Sequence, residues 1–468
     1  TETSTAMGSS ISGESGIDIA SGDDTLISAS RLQAGTSQNK ADLNVSTGGD
    51  LTVASGKDTL ERHERSSDTG FLSKQSARLD SYDERTVGSD LGASGTINLN
   101  AGKNAVISGS KVKAGDNLQV SGDSVSIIGA QEDHSLQSQK KESGLFAGSG
   151  GGFYSLWGKE QKDKSESITL NSGSDLSAGK SVILTARRTD LTIMGSHVEA
   201  GENIGLTAKR DVNILPGAES MSQAERQKRS GFGLQVSSGN GSASIGIGFG
   251  SSTDQTRQGA DTNAISSLRA GRDILITAGR DANLQAALLD AGRDFVPVAG
   301  RNVNLLSAQD RSNYAAMHEK LFAGVSLTVS SGLVSAANNA VDAASRVSSA
   351  SGTKAISNVA IAALNARQTL LDAEQALNGG TLVSGAATLG FEYSKNRQEG
   401  AQSTPVPTII HAGRSIDITA TKGTLLSRGA QILAGTDANG NAIVSDDELS
   451  GHLGLHAGKD VLLQSAQQ

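Results

Sequence analysis

The chain has 468 residues, a formal net charge of -8, 57 glycines, four prolines, 3% aromatic residues and no cysteine. The acidic balance argues against nucleic acid as a partner, because the basic footprint that neutralises phosphates is missing. The lack of Cys excludes disulfides and thiolate metal sites and suits a chain exported unfolded; no apolar run of about 18 residues is present to span a membrane as a helix.

From about Gly16 the chain reads as short strands ending in an Ala-Gly mark, as in Ala101-Gly102-Lys103-Asn104. Ala178-Gly179 and Ala200-Gly201 are 22 residues apart, and Ala270-Gly271 and Ala291-Gly292 are 21 apart, as are Ala278-Gly279 and Ala299-Gly300. A period near 21 residues is the signature of a solenoid. Around each mark apolar residues alternate with polar ones. Ile274 and Ile276, or Val303 and Leu305, point inward, and the residues between such pairs, Asn304 or Gln119 among them, outward. The glycine of the mark is expected to supply a corner with positive φ. The expected fold is all-β: one right-handed parallel β-helix over 1–468, about 21 residues per coil, each coil stable only against its neighbours. With the repeat still running at Leu462-Leu463, the chain reads as a segment of a longer protein.

Four insertions interrupt the beat, at Thr59–Ala93, Glu132–Ser167, Gly217–Ser266 and Asp310–Val406. The last three leave just after the second mark of a pair, following Gly122, Lys209 and Gly300, and the first follows the equivalent turn Gly56-Lys57-Asp58. Equal register places them on one edge of the helix, in a row spaced roughly 10 Å apart at about 4.8 Å per coil. Each begins polar, turns apolar and Gly-rich, and returns polar. The first opens with Glu61-Arg62-His63-Glu64-Arg65. The second carries Leu145-Phe146 and Phe153-Tyr154-Ser155-Leu156-Trp157; its Gly148–Gly152 stretch lacks the Lys-Ser/Thr of a phosphate loop. In the third, Phe232, Leu234 and Val236 alternate with small residues, Gly239-Asn240-Gly241 turns the chain, and Ile245, Ile247 and Phe249 alternate back, which reads as a hairpin with one apolar face. The fourth holds Val325, Leu327 and Val329 on one strand and Leu389 and Phe391 on the other, with two Ala-rich helices expected over 333–377. These residues are the candidate contacts with a membrane or a protein partner. Two arrangements stay open: apolar faces packed on the helix flank or on each other, or free tips.

Beyond the fourth insertion the coil resumes, with Ala412-Gly413 and Ala434-Gly435 22 residues apart. Asp437–Glu448 carries oxygen ligands at positions 1, 3, 5, 9 and 12 of a calcium loop, but Ala442 replaces the Gly needed at position 6. The reading is a hairpin turn at Asn439-Gly440. Seven scattered His residues, His452 and His456 included, form no metal set. No catalytic constellation, cofactor motif or small-molecule site is found, and the chain is read as no enzyme.

The marks, together with Gly109-Ser110-Lys111-Val112-Lys113-Ala114-Gly115-Asp116-Asn117-Leu118, resemble filamentous haemagglutinin repeats of two-partner secretion exoproteins from Gram-negative bacteria. The interrupting insertions are similar to the second haemagglutinin repeat region of contact-dependent growth inhibition proteins of the CdiA type. The resemblance implies a filament exported through an outer-membrane partner to the cell surface. There this region would help a C-terminal toxin across the target cell's outer membrane. The alternative is a passive adhesin, for which Trp157 and Tyr154 are the aromatics placed close together.

Overall fold

The computed structural model describes residues 1–150, 152–239, 242–330, 385–436 and 450–466. The two helices expected over 333–377 and the Asp437–Glu448 loop lie outside those residues. Every described element is a strand. Three ten-stranded parallel sheets form the body, and a nine-stranded antiparallel sheet stands apart from them in the hydrogen-bond pattern. The chain visits the three parallel sheets in a fixed order, so each strand pairs with its equivalents in the coils before and after. Ile97–Ala101, for example, lies between Leu43–Thr47 and Leu118–Gly122. This is the arrangement of a parallel β-helix.

The coil is not of constant length. Ile97 pairs with Leu118, 21 residues on, and Val182 with Ile204, 22 on. Ile17, however, pairs with Leu43, 26 on, Leu118 with Val182, 64 on, and Phe295 with Ile416, 121 on. A single figure of about 21 residues per coil therefore does not describe the molecule. Register is held by the strand ladders, and the connections between them vary freely outside.

Inside, the alternation becomes ladders. Ile274, Ile276, Val303 and Leu305 are all fully buried, as are Leu206 and Phe295 of neighbouring coils. Each such side chain contributes about 1.5–3 kcal/mol by leaving water, and each is shared between adjacent coils. The Ala of the mark ends its strand buried as well, with Ala200, Ala270 and Ala291 at the corner.

At most marks the glycine works differently from the sequence expectation, while Gly35 and Gly435, both with φ 73°, are the positive-φ corners expected. Gly201, Gly271, Gly292 and Gly300 are not among the residues with positive φ. They are required by close approach: a Cβ on Gly271 would lie 2.2 Å from the carbonyl oxygen of Gly201, and one on Gly292 2.3 Å from that of Gly271. Positive φ is also used at another corner. Ala29, Gly109, Gly195, Ala286 and Gly429, with φ between 45° and 67°, each follow a strand of the third sheet.

The outward residue after the mark ties coils together. Arg280 Nε donates to Asp211 Oδ1 at 2.9 Å, Arg301 Nε to Asp281 Oδ1 at 2.8 Å and Arg414 Nε to Asp294 Oδ1 at 2.8 Å. A second guanidinium nitrogen meets the other carboxylate oxygen in each pair. The Arg hydrogen bonds outweigh desolvation and hold all three carboxyls below their ordinary value. A depressed carboxyl stabilises the fold above its unfolded value and loses that contribution as pH falls through the folded one. Asp281→Asn is therefore expected to lower the melting temperature at neutral pH. The gap to the parent should close as pH drops below 3.8. A gap of equal size at both ends of the titration would count against the Arg301 pairing.

Candidate functional site

Four times the chain leaves the body, always after a strand of the third sheet: Leu51–Ala54, Ser124–Ile128, Val212–Leu215 and Val303–Leu306. In the last three cases departure comes one strand later than the Ala-Gly spacing indicates. Val125 and Ile127 or Val212 and Ile214 alternate inward and complete the third side before the chain exits. A buried hydroxyl closes each root. Ser89, Ser174, Ser266 and Thr408, on the returning chain, donate to the carbonyls of Ala54, Ile128, Leu215 and Leu306 at 2.6–2.7 Å.

The excursions are hairpins: Gly56–Thr69 with Ser73–Val87, Ala130–Leu145 with Phe153–Ser172, Gly217–Gly239 with Ser242–Ala264, and Ala308–Ser330 with Gly385–Val406. They join edge to edge. Ser73–Val87 pairs with Ala130–Leu145, Phe153–Ser172 with Gly217–Gly239, and Ser242–Ala264 with Ala308–Ser330. The hairpins thus pack by their edges and form one sheet, a joining that the sequence reading did not include. Buried Glu84 stitches the first two together. Burial raises its pKa, but hydrogen bonds from Lys57, Tyr82 and the Asp133 amide outweigh that and lower it. The same carboxylate pushes the Tyr82 phenol up to about 12.

Residues directly opposed across a ladder share a face, so register assigns the candidate residues. One row runs Leu145, Trp157, Phe232, Phe249, Ala323, Phe391. The next runs Tyr154, Leu234, Ile247, Val325, Leu389, and a third Val236 and Ile245, with the backbone of Leu327 paired to Ile245. A bulge at Leu156 puts Tyr154 and Trp157 on the same side despite their odd spacing. This face is open: Trp157 is 55% exposed, Phe249 66%, Phe391 68% and Leu389 85%. Phe232 and Phe249 meet edge to face, with ring centroids 5.2 Å apart.

The opposite face is lined by glycine. Gly144, Gly158, Gly231 and Gly250 are opposed in one row, and Gly233, Gly248, Gly324 and Gly390 in another. The missing Cβ atoms leave space in which Phe153 lies buried against Gly250 and tilts towards Phe322, centroids 6.4 Å apart. Phe153 is thus a packing residue on the far side from Trp157. Phe146 sits half-buried at the turn with φ 65°, and Val329 stands opposite Ala243 further out. Tyr393, half exposed two residues from Phe391, extends the open face and was missed by the sequence reading; its i+2 spacing from Phe391 is the signal that finds it. Among the described residues no three His, Cys, Asp or Glu converge as a metal site requires.

A family described as Hemagglutinin repeat matches residues 1–71, 72–155, 154–321 and 389–468. The chain is similar to a toxin CdiA of Yersinia pestis, 26% identical over 76% of the chain, and to a tRNA nuclease CdiA of Escherichia coli (strain NC101), 28% identical over 89%. The match spans 13% of the length of each of these two relatives. A deoxyribonuclease CdiA of Yersinia pseudotuberculosis serotype O:3 is 26% identical over 76% of the chain and 40% of its own length. No solved structure matches.

Proposed function

Since the chain belongs to the haemagglutinin repeat family, we propose that it is a delivery segment of a secreted filamentous exoprotein. In this reading it helps a C-terminal toxin across the outer membrane of a target bacterium. The whole protein would be exported through an outer-membrane partner and displayed on the cell surface. The supporting observation is the open apolar face carried by the last three hairpins and held away from the β-helix on polar stems. Contiguous exposed apolar surface of this kind marks a membrane or protein contact. Its three rows cover about 14 Å along the strands at about 3.4 Å per residue, close to half of a hydrocarbon core of about 30 Å. Among the described residues the strand Gly385–Val406 is an outer edge of the sheet, and the free backbone groups of an edge are penalised by hydrocarbon. The proposed contact is accordingly insertion into one leaflet.

The test is flotation of the 468-residue chain with vesicles of outer-membrane lipid, beside a variant with Phe232, Leu234, Ile245, Ile247 and Phe249 changed to Ser. The parent is expected to float and the variant to stay at background with an unchanged circular dichroism spectrum. Equal flotation of both, or of neither, would overturn the reading. The adhesin reading draws on Tyr154 and Trp157 standing on one face, and predicts that Trp157→Ala alone removes binding to cells while flotation is absent in the parent.

A further inference from the structure

Below the aromatic row, towards the body, the same face carries cations. Lys159 lies two residues from Trp157, and Lys141, Lys228 and Lys395 lie four residues from Leu145, Phe232 and Phe391. Register places the last three in one row, running Lys141, Gln161, Lys228, Thr253, Glu319, Lys395. All four lysines are exposed, and none has an ion-pair partner among the described residues. Glu319 is the one carboxylate in that row. On the glycine face at the same height most charges are paired, and Lys140 and Lys320 are the cations with no ion pair among the described residues. Arg229 reaches Glu160 at 3.8 Å and Asp254 at 3.5 Å, Lys162 reaches Glu160 at 3.1 Å, and His318 pairs with Asp254. A chain of net charge -8 thus leaves an uncompensated positive band on the side that bears its apolar rows.

We infer that Lys141, Lys159, Lys228 and Lys395 bind the anionic phosphate headgroups of the membrane that the apolar rows enter, and so set the depth of insertion. The inference rests on the membrane reading above. The spacing fits: the lysines stand about 7 and 14 Å along the strand from the aromatic row. Their flexible stems let the ammonium groups reach back towards it, as lysines do at an interface. Aromatic rings next to lysines form the sequence of groups that anchors proteins at the headgroup level. Uncompensated lysines are drawn to an anionic leaflet over about a Debye length.

Flotation of the full chain with phosphatidylcholine vesicles, and with vesicles containing phosphatidylglycerol, tests this against a variant with the four lysines changed to Gln. A second variant, Lys140, Lys162 and Lys320 changed to Gln on the glycine face, is the control. The parent is expected to bind the anionic vesicles about a hundredfold more tightly than the neutral ones. That preference should vanish in the four-lysine variant and persist in the control. Equal binding of the parent to both vesicles would overturn the headgroup inference and leave the membrane reading standing. Loss of the preference in the control to the same extent would overturn the placement of the band. Binding to neither vesicle would overturn the membrane reading and this inference with it.

Discussion

Changing Gly271 to Val is expected to destabilise the coils around it by about 3 kcal/mol, the upper end of what overpacking costs. The Gly271 amide donates to the Ala200 carbonyl at 2.9 Å, which holds this corner against the coil below. A Cβ there would sit 2.2 Å from the Gly201 carbonyl oxygen and 3.0 Å from its carbon, both backbone atoms that cannot step aside singly. Gly201 stands in the same relation to Gly179, and Gly292 to Gly271, so the clash would recur along this part of the stack. Because coils are stabilised only by their neighbours, the damage should stay local. Hydrogen exchange should show lost protection over Val198–Leu206 and Leu268–Ile276, and native protection over Ile97–Ile107. Full protection at both would show that the coils tolerate a wider step and that the glycine serves another purpose.

The second large effect concerns the hairpin sheet. Gly250→Val would place a Cβ 2.7 Å from the Phe153 ring, which also lies against Phe322. Re-exposing Phe153 forfeits about 1.5–3 kcal/mol of burial. Exchange should therefore rise along Phe153–Ser172 and Gly217–Gly239, with the β-helix unaffected. Flotation should survive, because Phe232, Ile247 and Phe249 face the other way. Loss of flotation with an intact glycine face would show that the two faces are not independent.

Much of the body was legible in the chain. Alternation at Val303-Asn304-Leu305 and the Ala-Gly spacing led directly to strands, inward ladders and a stacked parallel architecture, because period-2 burial and a fixed repeat are local properties. The role of the mark's glycine was misread at marks such as Gly271. A tight corner and a close approach call for the same residue, and only the distance from Gly271 to the Gly201 carbonyl separates the two causes. The candidate aromatics were also legible as a set, but not their division into faces. Phe153 and Trp157 share parity in the sequence, yet the bulge at Leu156 sends one to the glycine side and the other to the open side. Lys159 and Lys228 looked like ordinary stem charges until register put them below Trp157 and Phe232.

The sequence by itself thus determined the strands, their inward faces and the number of hairpins, all of which follow from patterns a few residues long. Tertiary structure alone decided that the hairpins become one sheet. A hairpin is two strands wide, about 10 Å, and one leaves the body every second coil, which is also about 10 Å. The two spacings agree because parallel coils and antiparallel hairpins are held by the same backbone hydrogen bond, so neighbouring hairpins meet at pairing distance. That match is a property of the stacked assembly and is written in no single repeat.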